Sequence, residues 1–158
     1  MSIDVRPIAQ ADLDALVAIE NAAFSGDRLS RRSLQRLIRS VAAIACVAEE
    51  NGKILGYALA LTRRTSGIAR LYSIAVTPGE TGKGVAGLLM CRIEEAVRER
   101  GLRAMRLEVR ADNQAAIRLY EKTGYRRFAQ YENYYHDGMR ALRYQKALCA
   151  LNTENGRR

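Results

Sequence analysis

The sequence predicts an α/β (α+β) fold built from six to seven strands and about four helices. Three observations carry that prediction. Two apolar runs flank Asn51-Gly52, the strongest short signal for a tight hairpin. The run Ile74-Ala75-Val76 stops at Thr77-Pro78 and empties through the glycine-studded loop Gly79–Gly84 into helical periodicity. Then Ala104–Val109 alternates, placing Met105, Leu107 and Val109 on one face and Arg106 and Glu108 on the other, before a further helical segment.

Taken in order, Ile3–Arg6 alternates as a short strand that Pro7 ends. Asp12 is expected as an N-cap or first-turn acid for a helix through Leu13, Leu16, Val17 and Ile19 to Phe24, broken by Ser25-Gly26-Asp27. Ser30 is placed to cap a basic helix with Leu34, Leu37 and Ile38 at helical spacing and Arg31, Arg32, Arg36 and Arg39 between them. Strands follow over Ala42–Glu49, Lys53–Leu61 and Ala69–Val76 as a meander. After the glycine loop, Val85, Leu88, Leu89, Ile93, Ala96 and Val97 mark an amphipathic helix that Gly101 terminates. A helix from Asp112-Asn113 ends at Gly124, and Tyr125–Gln130 and Met139–Ala147 close the fold around an aromatic loop, Tyr131–Gly138.

No low-complexity linker or repeat interrupts the 158 residues, so residues 1–150 are expected as a single domain with 151–158 a polar tail. The longest apolar runs fall short of the roughly 20 residues that span a bilayer, and the N-terminal residues lack a signal-peptide apolar region. A cytoplasmic protein without membrane association is therefore expected. Cys46, Cys91 and Cys149 are far apart and form no CxxC pair, which supports neither a disulfide framework nor a metal site; Cys46 and Cys91 are expected as small core residues. Charge is the unusual bulk feature. Lys+Arg 26 against Asp+Glu 17 gives +9, a balance that suits anionic partners such as nucleotide cofactors, RNA, ribosomes or acidic peptides, although the basic residues are dispersed along the chain and read first as solvated faces.

The loop after Val76 has the chemistry of an anion site. First-turn amides of a helix point outward, the helix dipole adds positive charge, and glycines let backbone approach an anion closely. It lacks the GK[ST] ending of a P-loop and the setting of a dinucleotide-binding fingerprint. Thr81-Gly82-Lys83-Gly84-Val85-Ala86 instead resembles the acetyl-CoA signature, [Q/R]xxGx[G/A], of the GCN5-related N-acetyltransferase superfamily, with Thr81 where glutamine or arginine is usual. Leu107–Arg127, LEVRADNQAAIRLYEKTGYRR, is similar to a block of the ribosomal-protein-alanine N-acetyltransferases and related protein N-terminal acetyltransferases. The pattern departs from these after Tyr135, where the chain continues His136-Asp137-Gly138 rather than with a proline and an acidic stretch.

The resemblance implies a central mixed, mostly antiparallel twisted sheet with helices on its faces. It implies acetyl-CoA as cosubstrate, held by Ile74, Ala75, Val76, Gly82, Lys83, Gly84, Val85, Ala86 and Gly87, with Asn113 and Tyr120 contributing from the later helix. No metal is implied. Glu108 would take the proton of the acceptor ammonium, directly or through water, and Tyr120 would donate a proton to the departing sulfur. A backbone amide at the end of the strand, that of Val76, would hold the oxyanion. The residues alone leave other roles open: a salt bridge to Arg106 or Arg110 for Glu108, ring packing for Tyr120 and helix capping for Asn113. Tyr131, Tyr134 and Tyr135 would line the acceptor slot or pack across strands. His136, the only histidine, is expected at the surface.

The function expected is acetyl transfer to a primary amine by direct attack in a ternary complex. The leading acceptor is a protein or peptide N-terminal α-amine of ribosomal-protein type, and the protein itself is expected as a monomer or homodimer. Small-molecule amines (polyamines, aminoglycosides, amino-acid derivatives) and protein lysines remain open acceptors. A different class, a basic RNA- or ribosome-binding module that holds CoA without catalysis, is the rival.

Overall fold

The computed structural model describes residues 2–24 and 28–148. These form strands β1 (Asp4–Pro7), β2 (Ala43–Glu50), β3 (Lys53–Leu61), β4 (Ile68–Val76), β5 (Ala104–Arg110), β6 (Arg126–Tyr131) and β7 (Ala141–Ala147). The helices are α1 (Leu13–Ala23), α2 (Arg31–Arg39), α3 (Val85–Glu99) and α4 (Gln114–Lys122). The sheet has seven strands in the order β1-β2-β3-β4-β5-β7-β6. Strands β4 and β5 run parallel, whereas β1–β2, β2–β3, β5–β7 and β6–β7 are antiparallel. The mixed, mostly antiparallel sheet expected from the resemblance is therefore present. Its chain falls into two compact units, Met1–Leu61 with Leu71–Ile93 and Thr62–Arg70 with Glu94–Arg158.

In the first unit the β2–β3 turn places Asn51 at φ 53° and Gly52 at φ 79°, the two left-handed residues that a type I′ hairpin requires. Its core joins Leu16 and Ile19 of α1, Leu34 of α2, and Val47, Tyr57, Leu59 and Ala75 of the sheet. Tyr57 brings a hydroxyl into this apolar layer and donates it to Glu20, itself buried; Glu20 also accepts the Leu29 amide at 2.7 Å. The Tyr57 hydroxyl lies 2.8 Å from Ser73 Oγ, so each buried polar group has a partner. Ser30 caps α2 as expected, accepting the Ser33 amide at 3.1 Å, and Arg31, Arg32, Arg36 and Arg39 are exposed.

Asp12 takes the expected N-cap position of α1, but its side chain makes no cap bond to that helix. A short 3-10 turn, Gln10–Asp12, precedes α1, and the carboxylate reaches back to the Ala9 amide at 2.8 Å and to both Nη groups of Arg6 at 2.9 Å. The expected break at Ser25-Gly26-Asp27, Cys149 and the tail at 151–158 lie outside the described residues. In α3 the buried stripe is Val85, Leu89, Met90, Ile93 and Val97, while Leu88 is exposed. Residues at steps of four hold one face, and Leu88 falls on the far side of that stripe.

In the second unit Met105, Leu107 and Val109 of β5 are buried with Leu142 and Tyr144 of β7 and with Tyr120 and Tyr125. Strand β7 starts at Ala141 instead of Met139, because the Met139 carbonyl accepts the Tyr134 and Tyr135 amides, at 3.2 and 3.0 Å, within the loop. α3 ends in a Schellman motif: the Leu102 amide donates to Val97 O at 3.3 Å and the Gly101 amide to Arg98 O at 2.8 Å.

Candidate active site

The glycine loop after β4 belongs to the first unit. Gly79, Gly82 and Gly84 have φ 95°, 84° and 80°, values that side-chain-bearing residues rarely adopt. A Cβ built at Gly82, Gly84 or Gly87 would meet nothing within 4 Å, so this backbone borders open space. Leu88 N donates to Gly84 O at 3.1 Å, which makes it the first intrahelical donor and leaves the Val85, Ala86 and Gly87 amides ahead of the helical bonding pattern. Lys83 adds a cation whose Nζ lies 2.8 Å from Glu80, which also meets Lys53 Nζ at 3.4 Å. The bond from Lys83 chiefly holds the Glu80 carboxyl below its ordinary range. Outward amides, a helix N-terminus and lysine form a donor set suited to a pyrophosphate.

Ile74, Ala75 and Val76 are the last three residues of β4, with Ala75 buried. The parallel ladder of β4 with β5 runs through Ile68↔Ala104, Ala69↔Met105 and Arg70↔Arg106; Ile74–Val76 lie beyond its last pair.

The second unit holds Glu108, Tyr120 and the aromatic loop. The Glu108 side chain is 8% exposed and lies between two arginines, with Arg70 Nε 2.8 Å from Oε1 and Arg143 Nε 3.2 Å from Oε2. The salt-bridge role considered for Glu108 is thus real, but its partners are Arg70 and Arg143 instead of Arg106 or Arg110. Arg143 is the direct cross-strand neighbour of Glu108 on β7, and only the register shows it. Arg110 instead pairs with Asp137 at 2.7 Å and Asp112 at 3.1 Å.

Tyr120 sits in the last turn of α4 and is buried, and burial pushes its phenol above the ordinary tyrosine range. Asn113 caps α4, its Oδ1 accepting the Ala116 amide at 3.1 Å. In the aromatic loop, Tyr131 and Tyr134 stack at 5.5 Å and 17°, and Tyr135 meets Tyr134 edge-on at 5.0 Å. Burial pushes the Tyr135 hydroxyl up to about 12, reinforced by Tyr134 and Glu108 and opposed by Arg110 and Arg70. Tyr135 also raises Tyr120, so this ring lies within electrostatic reach of both Glu108 and Tyr120. His136 is exposed, as expected.

Residues 13–125 match the acetyltransferase (GNAT) family, and the chain belongs to it. Among curated proteins, the [ribosomal protein bS18]-alanine N-acetyltransferase of Escherichia coli (strain K12) is 37% identical over 86 residues, 54% of this chain and 57% of that one. The mycothiol acetyltransferase of Rhodococcus jostii is 30% identical over 89 residues, 54% of this chain and 29% of that protein. The chain thus spans little more than half the length of the first of these relatives and less of the second. The crystal structure of the ribosomal-protein-S18-alanine N-acetyltransferase from Escherichia coli superposes with a TM-score of 0.84 at 27% identity, covering 93% of this chain and 94% of that one. Ard1 from Thermoplasma volcanium shares the fold, with a TM-score of 0.86 at 24% identity over 94% and 99% of the two chains.

Proposed function

We propose that this chain is an acetyl-CoA-dependent N-acetyltransferase acting on a primary amine, with residues 1–150 serving as one catalytic domain. The observation that carries the reading is the trio in the second unit: arginine-held Glu108, buried Tyr120, and Tyr135 within electrostatic reach of both. The glycine loop supports it with a donor set that fits the cosubstrate's pyrophosphate. Val85, Ala86 and Gly87 would hold it through their amides, Gly82 and Gly84 would admit it, and Lys83 would add charge. Ile74, Ala75 and Val76 would bind the pantetheine arm and Asn113 would contribute from α4.

Acetyl-CoA supplies an activated acyl thioester. An alkyl ammonium is mostly charged at neutral pH, and Glu108 accepts its proton, directly or through water. Tyr120, its phenol raised by burial, holds a proton at Oη in the form that a departing thiolate needs. The Val76 amide is the donor we assign to the developing oxyanion.

The favoured acceptor is a protein or peptide N-terminal α-amine, supported by the names of the bS18-alanine acetyltransferases among the relatives. The name of the mycothiol acetyltransferase keeps small-molecule amines in view. The test is CoA release across N-terminal peptides, polyamines and aminoglycosides against a control without acceptor. Glu108→Gln is expected to lose about 10²–10⁴-fold in rate. Wild-type turnover by that variant would remove Glu108 from the mechanism.

The exposed arginines of α2 favour a second reading, an RNA- or ribosome-binding module. RNA affinity that falls steeply with salt, and that is lost when Arg31, Arg32, Arg36 and Arg39 are neutralised, would support it.

A further inference from the structure

On β5 the side chains opposite the core are Arg106, Glu108 and Arg110, and β7 sets Gln145 against Arg106 and Arg143 against Glu108. Carboxylates are unevenly distributed over this face. Arg110 has Asp137 and Asp112. Glu108 answers both Arg70 and Arg143. Arg106 donates its Nε to the neutral Gln145 at 3.1 Å. Among the described residues, the Nη groups of Arg106 and Arg143 bond no carboxylate; each arginine's bond on this face is made by its Nε.

Both guanidinium groups lie over the Phe128 ring, 4.9 Å from its centroid for Arg106 and 4.8 Å for Arg143, and Arg143 is also 4.8 Å from the Tyr131 centroid. Stacking on an aromatic face orients the planar fork while leaving its edge able to donate. Phe128 is held out from the ladder by an irregularity in β6 between Arg127 and Ala129. The result is two oriented guanidinium forks beside Glu108, in a setting where positive charge exceeds negative. A basic acceptor would meet like charge here, and an acidic one would meet its complement.

We propose that the acceptor carries a carboxylate close to its reactive amine, and that Arg106 and Arg143 bind that carboxylate through their Nη groups while the amine addresses Glu108. The inference rests on the acetyltransferase reading above and adds the acceptor's charge. A guanidinium fork matches a carboxylate with two parallel N–H···O bonds, the strong form of charge-assisted hydrogen bond. The carboxylate can belong to an acidic side chain near a peptide's N-terminus or be the α-carboxylate of a free amino acid.

The test measures CoA release by the full chain with peptides identical except at the second residue, which is Asp, Asn or Lys. A free amino acid and its amide form a parallel pair. The Asp peptide is expected to exceed the Asn peptide by about 10-fold or more in kcat/KM, mainly through KM, and the Lys peptide to be poorest. Arg106→Gln is expected to shrink the Asp-to-Asn ratio about 10-fold. Arg64→Gln, which removes an exposed arginine from the β3–β4 turn, is expected to keep it. Preference confined to the peptide pair assigns the site to an acidic side chain, and preference confined to the amino-acid pair assigns it to the α-carboxylate. Equal rates within both pairs, a Lys preference, or a ratio unmoved by Arg106→Gln would overturn the proposal. The wild-type ratios need no variant, so a misfolded Arg106→Gln leaves the test intact. Release without charge preference sinks this inference alone, whereas no release with any amine sinks the acetyltransferase reading.

Discussion

Tyr125 donates its backbone amide to the Tyr120 carbonyl at 2.9 Å and lays its ring edge-on to Tyr120, with centroids 6.0 Å apart and planes at 64°. Together with the bond from Gly124 N to Glu121 O at 3.2 Å, this is a Schellman motif in which the helix stop also builds the wall beside the phenol. Tyr125 is tied down in turn by its hydroxyl bond to Glu94 at 2.9 Å.

Two variants should therefore separate chemistry from scaffold. Tyr120→Phe keeps the ring contact and is expected to melt near the wild-type temperature while losing about 10²-fold in rate. Gly124→Ala forces a Cβ onto φ 99° and against Lys146 Cε at 3.3 Å, and should cost about 1–2 kcal/mol in urea unfolding. A fully active Tyr120→Phe would return the phenol to a packing role.

Glu94 is buried, and Lys146 Nζ donates to it at 2.9 Å and to Thr123 O at 2.7 Å. Lys146→Met leaves that carboxylate without its cation and is expected to destabilise by about 3 kcal/mol, at the low end because Lys146 is 27% exposed. Adding Glu94→Gln should recover part of the loss, read as a shift in denaturation midpoint.

The Arg6 hydrogen bonds hold the Asp12 carboxyl below its ordinary range, against burial and aided by the Ala9 amide. A depressed carboxyl stabilises the fold above its unfolded value of about 4, and that contribution disappears as pH falls through the folded value. Arg6 stays charged throughout. Asp12→Asn should be less stable at neutral pH and show a shallower loss of stability on acidification; parallel curves for the two proteins would exclude the pair as a source of acid sensitivity.

Burial pushes the Cys46 thiol up to about 11, whereas Cys91, expected in the core, is exposed on the outer face of α3. A thiol-alkylating reagent near neutral pH should modify Cys91 in the native protein and Cys46 only after denaturation. Peptide mapping by mass spectrometry identifies the modified site, and early labelling of Cys46 would show that β2 opens readily.

Local signals were legible wherever one residue type sets one geometry. Asn51-Gly52 announced the hairpin, Ser30 and Asn113 the caps, and Gly101 and Gly124 the helix stops, because each conformation is decided within a few residues. Asp12 stands at the helix start as expected, but its partners were not legible: the carboxylate reaches back to Ala9, and Arg6 from β1 holds it there.

The amino-acid sequence by itself determined the order of elements, the glycine loop ahead of α3, and the placement of Glu108 opposite the β5 core, since periodicity and backbone freedom are local properties. Tertiary structure alone decided what surrounds Glu108. Arg143 and Arg70 lie 35 and 38 residues away in sequence and reach the carboxylate through strand register and a parallel pairing. A register depends on which strands find one another, and no spacing along the chain encodes it. The stacked forks of Arg106 and Arg143 on Phe128 belong to the same category, and the proposed acidic acceptor rests on them.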